Sequence, residues 1–462
     1  MQPLRQESSL RPQVREDTTD RLLRCLPGGN PQHPRRPAMK RLVALAWLLA
    51  ALPAPASAGG FSNPDFGIRR LGMFSVVARP DDATGIYHNP AGMTLLDGTH
   101  LYHAQSWFFM TIGIRMYDSH GVLRPDHNIT PDWSVGTIPF LGVVTDFGTK
   151  KLRGGLAVYA PNAYGAAMPA DEPTRYHATR ALFLASRMTA AVACQITDRF
   201  SAALAINVIN VYLTASRMMN ALVLADPDAR FNPYDEMKTG DAELKIGGMA
   251  WTWALDAGLL FHPTDTLSLG FAFGGGSNID MSGDVDLTYP DGSTEKTRHH
   301  TQMVIPFTLR AGINWRFAQG FEWGADIYYW HYQVLQEQRT TLDQPIMGMA
   351  GFTDPKDFGN SWSWNTGLMY HVLQNLEVMV GWQMDFSPIP DRTFSLDNAS
   401  RDQNGLSLGT RWRINEHWRV GAAFVRNWVS VINVQDSIAT PPTNAKGTAA
   451  NSEFGFDVDY RF

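Results

Sequence analysis

The sequence predicts an all-β fold, an antiparallel transmembrane β-barrel of about fourteen strands with an N-terminal hatch plugging the lumen. Three observations predict it. Period-two alternation of apolar and polar residues recurs along most of the chain, short and long connections alternate between the alternating segments, and an export signal is followed by no apolar run long enough for a membrane helix.

The export signal comes first in chain order. At Met39 begin Lys40 and Arg41, then the apolar run LVALAWLLAAL, then PAPASA with small residues at Ala56 and Ala58. This is the layout of a secretory signal peptide over residues 39–58, with cleavage after Ala58. Residues 1–38, rich in Arg and Pro, read as a non-native upstream extension. Of the two cysteines only Cys194 lies beyond the signal, so the exported chain has no internal disulfide and must hold itself by hydrogen bonds and packing.

Residues 59–98 follow, with many Gly and Pro and without alternation or a helical apolar period. Such a segment cannot fold alone and suits a hatch inside a barrel. Within it, Asn89-Pro90-Ala91-Gly92 has a local logic: Asn before Pro is biased to an extended shape and caps its own turn, Pro fixes the bend, and Ala-Gly permit close approach. An ordinary loop turn has the same composition.

The barrel is expected over residues 99–462, with strands beginning near Thr99, Gly136, Arg153, Ala178, Arg199, Ala242, Thr266, Glu295, Phe321, Asn360, Asn375, Arg401, His417 and Ala450. The last strand shows the pattern most plainly: Phe454, Phe456, Val458, Tyr460 and Phe462 share one parity, and Glu453, Gly455, Asp457, Asp459 and Arg461 the other. In an extended chain these are two opposite faces, one for lipid and one for the lumen. Trp315, Trp323, Trp412, Trp418, Tyr460 and Phe462 stand near strand ends, where an interfacial girdle belongs. On strand 5 the parity reads as shifting near Ile209, which leaves the facing of Arg217 open.

Connections sort by length. Tight turns such as ITDRF, HPTDT, FAQGF, LQN and NEH alternate with long segments such as 341–359 and 435–449. A soluble sandwich has no reason for this sorting, whereas an outer-membrane barrel has short periplasmic turns and long extracellular loops.

Catalytic patterns fail on context. Gly405 to Gly409, GLSLG, matches G-x-S-x-G, but Ser407 sits inside an alternating strand rather than a strand-turn-helix elbow. His299-His300 lacks the spacing of a metalloprotease pair, and Gly274 to Gly276 lacks the helix of a phosphate cradle. The reading is therefore of a non-enzyme, with no metal and no cofactor. At 44% hydrophobic and 18% charged residues, with a formal charge of -5, nucleic acid is not an expected partner. The lumenal parity carries Arg310, Arg316, Glu322, Asp326, Glu377, Asp385, Arg411, Arg413, Asp457 and Asp459, which either brace the wall and grip the hatch or anchor a ligand head group.

Several segments together resemble the FadL-type family of long-chain fatty acid and aromatic hydrocarbon transporters of Gram-negative outer membranes. They are PDDATGIYHNPAGM in the hatch, VYAPNAYG at the end of strand 3, IPFTLRAGINWRF with DIYYWHYQ in strands 8 and 9, and MDFSPIPDRTF leading into NGLSLGTRWRINEHWRVG. The resemblance implies a fourteen-stranded barrel with Asn89, Pro90, Ala91 and Gly92 in the lumen, and a strand 3 kink opening the wall sideways. Pro161 has no donor for the ladder, and Asn162, Ala163 and Gly165 are small or turn-prone, so the sequence permits such a kink. Arg69 and Arg70 depart from the family's smaller, more neutral pattern; with Arg217 they are candidate contacts for a ligand carboxylate, pairing with lumenal acids being the competing reading. A terminal strand ending in Phe resembles the signal read by the barrel assembly machinery, carried here by Phe454, Phe456, Val458, Tyr460 and Phe462.

The functional expectation is an outer-membrane channel for energy-independent uptake of fatty acids or aromatic or aliphatic hydrocarbons, released into the bilayer through the strand 3 kink. Its expected partners are a hydrophobic small molecule, outer-membrane lipid and the assembly machinery, and it is expected to work as a monomer. A porin for small polar solutes and a surface receptor or adhesin are the alternatives.

Overall fold

A computed structural model describes residues 60–462, apart from 119–120, 125–127, 133–134, 221–240, 398–399 and 440–441. The upstream extension and signal peptide expected over residues 1–58 lie outside the described residues. Fourteen antiparallel strands form a closed barrel. They are β1 (Thr99–Met116), β2 (Val135–Thr145), β3 (Leu152–Ala167), β4 (Arg180–Thr197), β5 (Phe200–Asn220) and β6 (Asp241–Phe261). Next come β7 (Leu267–Gly274 continued by Ser277–Thr288), β8 (Thr294–Ile305 and Thr308–Ala318), β9 (Phe321–Trp330 and Glu337–Ile346) and β10 (Met349–Pro355 and Ser361–Leu373). The last are β11 (Leu376–Asp385), β12 (Gln403–Arg413), β13 (Trp418–Val429 with Ile432–Val434) and β14 (Ala445–Arg461). Closure runs from His100 opposite Arg461 to Met116 opposite Ala445, so the seam strands satisfy each other's backbone groups, as a wall in hydrocarbon requires.

The alternation read from the sequence becomes the two faces of this wall. On β6, Met249, Trp251, Trp253, Leu255, Leu259 and Phe261 are exposed on the outside. On β14, Phe454 is exposed outward, as is Phe462 just beyond the strand's end, while Glu453, Asp457 and Asp459 are buried inside. Trp315, Trp412 and Trp418 are exposed near the short-turn end.

Two expectations are corrected. Strand 5 keeps one parity throughout: Ala203, Ala205, Asn207, Ile209, Val211 and Leu213 all face inward, and the β4 register is continuous from Arg180 opposite Ser216 to Gln195 opposite Ser201. The apparent shift near Ile209 arises because the inner face itself turns apolar there, joining Phe183, Ala250, Ala254, Tyr328, Trp330 and Tyr332 in one lumenal cluster. Residues 341–359 are also not a long loop. Most of them extend β9 and β10 into a protruding hairpin whose tip, Met347-Gly348, has φ 49° and 77°. Two successive positive φ values are the signature of a two-residue hairpin turn usually announced by Asn-Gly or Asp-Gly, and Met hides it. The protrusion belongs to a lobe at the long-loop end with its own apolar cluster of Met219, Leu244, Val285, Leu287 and Ile346.

Residues 60–98 fill the lumen. They form two short helices, α1 (Ile68–Met73) and α2 (Gly85–His88), and a 3-10 turn over Pro90–Leu95, nearly all of it buried. The glycines on the lumenal parity fit this filling. A Cβ on Gly367 or Gly381 would run into the backbone of Met73, so the wall is bare where the hatch backbone touches it.

Candidate functional site

The site is built from the hatch upward. At the short-turn end its contacts with the wall are ionic. Arg411 is buried (1% exposed) and donates to both oxygens of Asp81 at 2.7 and 3.0 Å and to Glu377 Oε2 at 2.8 Å. Arg69 donates to Asp81 Oδ2 at 3.2 Å and to Glu322, which also accepts from Asn314 Nδ2 at 2.7 Å. Arg419 joins Asp459 at 3.0 Å and donates to the Asp81 carbonyl at 3.0 Å. Farther up, charged groups of the wall hold hatch backbone. Asp326 accepts from Val76 N (2.6 Å), Val77 N (3.0 Å) and Ser75 Oγ (3.1 Å), and Asp457 accepts from Ile68 N at the start of α1 (3.2 Å) and from Tyr102 (2.6 Å). Arg310 donates to the carbonyls of Tyr87 and His88 and lies 4.2 Å from the Tyr87 ring centroid. Ser407, the centre of the G-x-S-x-G match, donates to Gly72 O at 2.9 Å and so ties α1 to β12.

Asn89, Pro90, Ala91 and Gly92 are buried together at the middle of the hatch. The Asn89 side chain accepts from Ala91 N (3.2 Å), closing the turn, and donates to Val77 O (2.9 Å) and to Leu259 O of β6 (3.0 Å). One side chain thereby joins two hatch segments to the wall.

At the other end the grip is neutral. The β2–β3 ladder runs only from Thr145 opposite Gly154 to Phe140 opposite Tyr159, leaving residues 135–139 of β2 and 160–167 of β3 unpaired with each other. On its other side β3 carries a one-residue bulge against β4 between Tyr159 and Asn162, where Pro161 stands. The hatch start occupies the vacated edge: Asn63 N donates to Pro161 O at 2.7 Å, Ala163 N donates to Phe61 O at 3.1 Å, and Ser62 bridges Asn162 in antiparallel fashion. Trp330 Nε1 donates to Ser62 Oγ at 3.1 Å, and Phe61 N to the Tyr332 hydroxyl at 3.2 Å.

Beside this break lies a cavity of about 200 Å³. Phe61, Phe108, Val135, Tyr164 and Met168 form its apolar side, Ala163 and Gly165 its rim along β3, and Asp385, Gln403, Asn451 and Glu453 its polar side. A second, smaller cavity under the loops is lined by Leu335, Phe358 and Ile389 and shares the Phe61 and Tyr164 wall with the first.

The sequence-predicted arginines take separate places. Arg69 sits in the ionic network above. Arg70 donates to Asp65 (3.0 Å), Phe74 O (2.7 Å) and Asn365 Oδ1 (2.8 Å), with Phe74 and Tyr328 rings against it. Arg217, on the inner parity of β5, lies beside His177 in the β3–β4 connection; burial and then the Arg217 charge push that imidazole down to about 4. None of the three lines the cavity. The cation that does is Arg401, which pairs with Asp391 and stacks 4.6 Å from the Phe394 ring centroid. The sequence offered no signal for it, since the strand that Arg401 precedes alternates only from Gln403 onward.

A closed barrel that is apolar outside and carries an ion-paired N-terminal segment inside is the architecture of an outer-membrane transport channel. The chain matches the family model described as outer membrane protein transport protein (OMPP1/FadL/TodX) over residues 49–462, and it belongs to that family. Among solved structures it is similar to a Pseudomonas aeruginosa FadL homologue, with 16% identity, a TM-score of 0.76 and 87% of this chain covering 100% of that one. It is also similar to the P. putida toluene transporter TodX (14% identity, TM-score 0.69, 87% and 99% covered) and the Ralstonia pickettii toluene transporter TbuX (15%, 0.62, 87% and 99%). At these identities the likeness is one of fold. A search of curated protein sequences returned no match.

Proposed function

We propose that this chain is an energy-independent outer-membrane channel that takes up small hydrophobic compounds and releases them sideways into the bilayer between β2 and β3. The unpaired stretch of β2 and β3 beside a cavity carries the reading. A hydrophobic solute gains about 0.8 kcal/mol per buried methylene on leaving water, so release back into water from an apolar pocket is slow. Exit into lipid forfeits little of that energy. The ionic contacts at the short-turn end, which we take as periplasmic, oppose an axial exit. Capture begins among the loops at the smaller cavity, and movement of Phe61 to Asn63 away from β3 joins the two cavities to the opening. Asn89 to Gly92 hold the remainder of the hatch in place during this step. The outward aromatic parity of Phe454 to Phe462 supports its reading by the assembly machinery.

The test replaces Pro161 and Asn162 by Val, restoring a donor and strand propensity at the break. Uptake of a radiolabelled monoaromatic or fatty acid by cells carrying the variant is expected to fall to the level of a deletion strain while the barrel still assembles. Unchanged uptake rules out the lateral route.

A further inference from the structure

The polar side of the cavity has a sign. Asp385 and Glu453 both line it, at 9% and 2% exposure, and each has one buried carboxylate oxygen, Oδ1 and Oε1, that no donor meets in good hydrogen-bond geometry, with the hydroxyls of Ser363 and Ser106 beside the two groups. A carboxylate oxygen only accepts, and an unpartnered buried acceptor is a standing cost that a donor from a ligand removes. Among the described residues, no ion pair reaches either group, nor Asp397 on the same lining. Of the two nearby cations, Arg70 is paired with Asp65, and Arg401 shares its charge with Asp391 and the Phe394 ring while its buried Nε has no partner. The volume limits size. A cavity of about 150 Å³ lined by apolar side chains holds one benzene ring, and this one measures about 200 Å³. The same lining offers the rings of Phe61, Phe108 and Tyr164 for the ligand ring to lie against.

From this arrangement we infer that the cavity selects a single-ring aromatic bearing a hydroxyl or amino donor, such as a phenol or an aniline, and rejects a free carboxylate. The inference rests on the uptake reading above and names the chemistry of its ligand. The ring fills the apolar part of the lining, the donor reaches Asp385 or Glu453, and a ligand carboxylate meets an excess of lining acids, Asp385, Asp397 and Glu453 against Arg401, whose charge Asp391 already shares. A bare hydrocarbon fits but leaves both acceptors as they are, which is why a site with buried polar groups discriminates against the analogue lacking the donor.

The experiment compares three probes of one ring and one methyl: p-cresol, toluene and p-toluate at neutral pH, each radiolabelled. Binding to the detergent-solubilised full-length protein is measured by equilibrium dialysis, corrected for micelle partition. The expected order is p-cresol, then toluene, then p-toluate, with about tenfold between the first and last. In the double variant Asp385→Asn, Glu453→Gln, whose folding is checked by heat-shifted gel migration, the gap narrows to about threefold or less because p-toluate gains. The wild-type order decides by itself should the double variant misfold. Equal or tighter binding of p-toluate, or equal binding of p-cresol and toluene, overturns the inference while leaving the uptake reading intact. Failure of all three to bind, together with absent uptake in cells, overturns both.

Discussion

Replacing Arg411 by Met separates an ion-held hatch from a merely packed one. Arg411 is fully enclosed and carries three hydrogen bonds of 2.7 to 3.0 Å to Asp81 of the hatch and Glu377 of the wall. Met fills much of the same space and supplies no charge, so two half-buried carboxylates lose their common cation, Asp81 keeping only Arg69. Removing one partner of a buried pair costs about 3–5 kcal/mol, chiefly for the charges left behind. If that cost falls on the state in which the hatch is seated, the displaced state gains roughly two to three and a half orders of magnitude in population. Three readouts follow. Liposomes carrying the variant swell in small sugars, planar bilayers show conductance bursts absent from the wild type, and trypsin gains access to Arg69, Arg70 and Arg79. Adding Asp81→Asn and Glu377→Gln to the Arg411→Met variant recovers most of the closed behaviour, because no uncompensated charge is then left. A single variant as impermeable and protease-resistant as the wild type refutes the reasoning, and shows that packing of α1 suffices.

Asn89→Ala removes three hydrogen bonds at once and leaves buried backbone groups of Val77 and Ala91 without partners; a loss of about 2–4 kcal/mol in hatch seating is expected, read as faster amide exchange over residues 77–92. Gly367→Val places a side chain against the Met73 backbone and is expected to displace α1 at a cost of about 1–3 kcal/mol, measured as new protease sites in the hatch with β-barrel circular dichroism unchanged. His177 stays neutral in the folded loop to about pH 4, whereas the unfolded imidazole takes a proton near its ordinary value. The open loop therefore binds more protons between those limits, and acidification from neutral pH towards pH 4 loosens it. Hydrogen exchange in residues 168–179 is expected to rise as pH falls after correction for intrinsic rates, and His177→Gln removes that dependence.

Most of the barrel was legible because a wall one residue thick between lipid and lumen imposes a period of two on each strand, as in Phe454 to Phe462. The wall where the lumen is itself apolar was not, since Ile209, Val211 and Leu213 then look like a slipped register rather than an inner surface. The hairpin tip at Met347-Gly348 escaped for another reason: its conformation is dictated by strand twist, and the residue bearing the positive φ lacks the usual chemistry. Hatch contacts were partly visible, in that acids and bases on the lumenal parity suggested a grip on the hatch. Which acid meets which base was invisible, because Arg411 and Asp81 lie far apart in sequence and meet only across the lumen. The cavity was the least legible element. Asp385, Arg401 and Glu453 come from separate strands and loops, and local pattern gives no hint that they converge on Phe61 and Tyr164.

The attachment of the hatch differs in kind from one end to the other, and this makes its compliance directional. Where Asp81 and its arginines meet, separation leaves the enclosed Arg69 and Arg411 without their counter-charge; where Ser62 lies along β3, separation breaks a few neutral bonds whose groups water or an incoming solute can replace. A push from the outside therefore bends the first residues and leaves the floor in place. On the proposed sideways route, a greasy solute would then be admitted without a wet passage running from one compartment to the other, and the membrane would keep its permeability barrier.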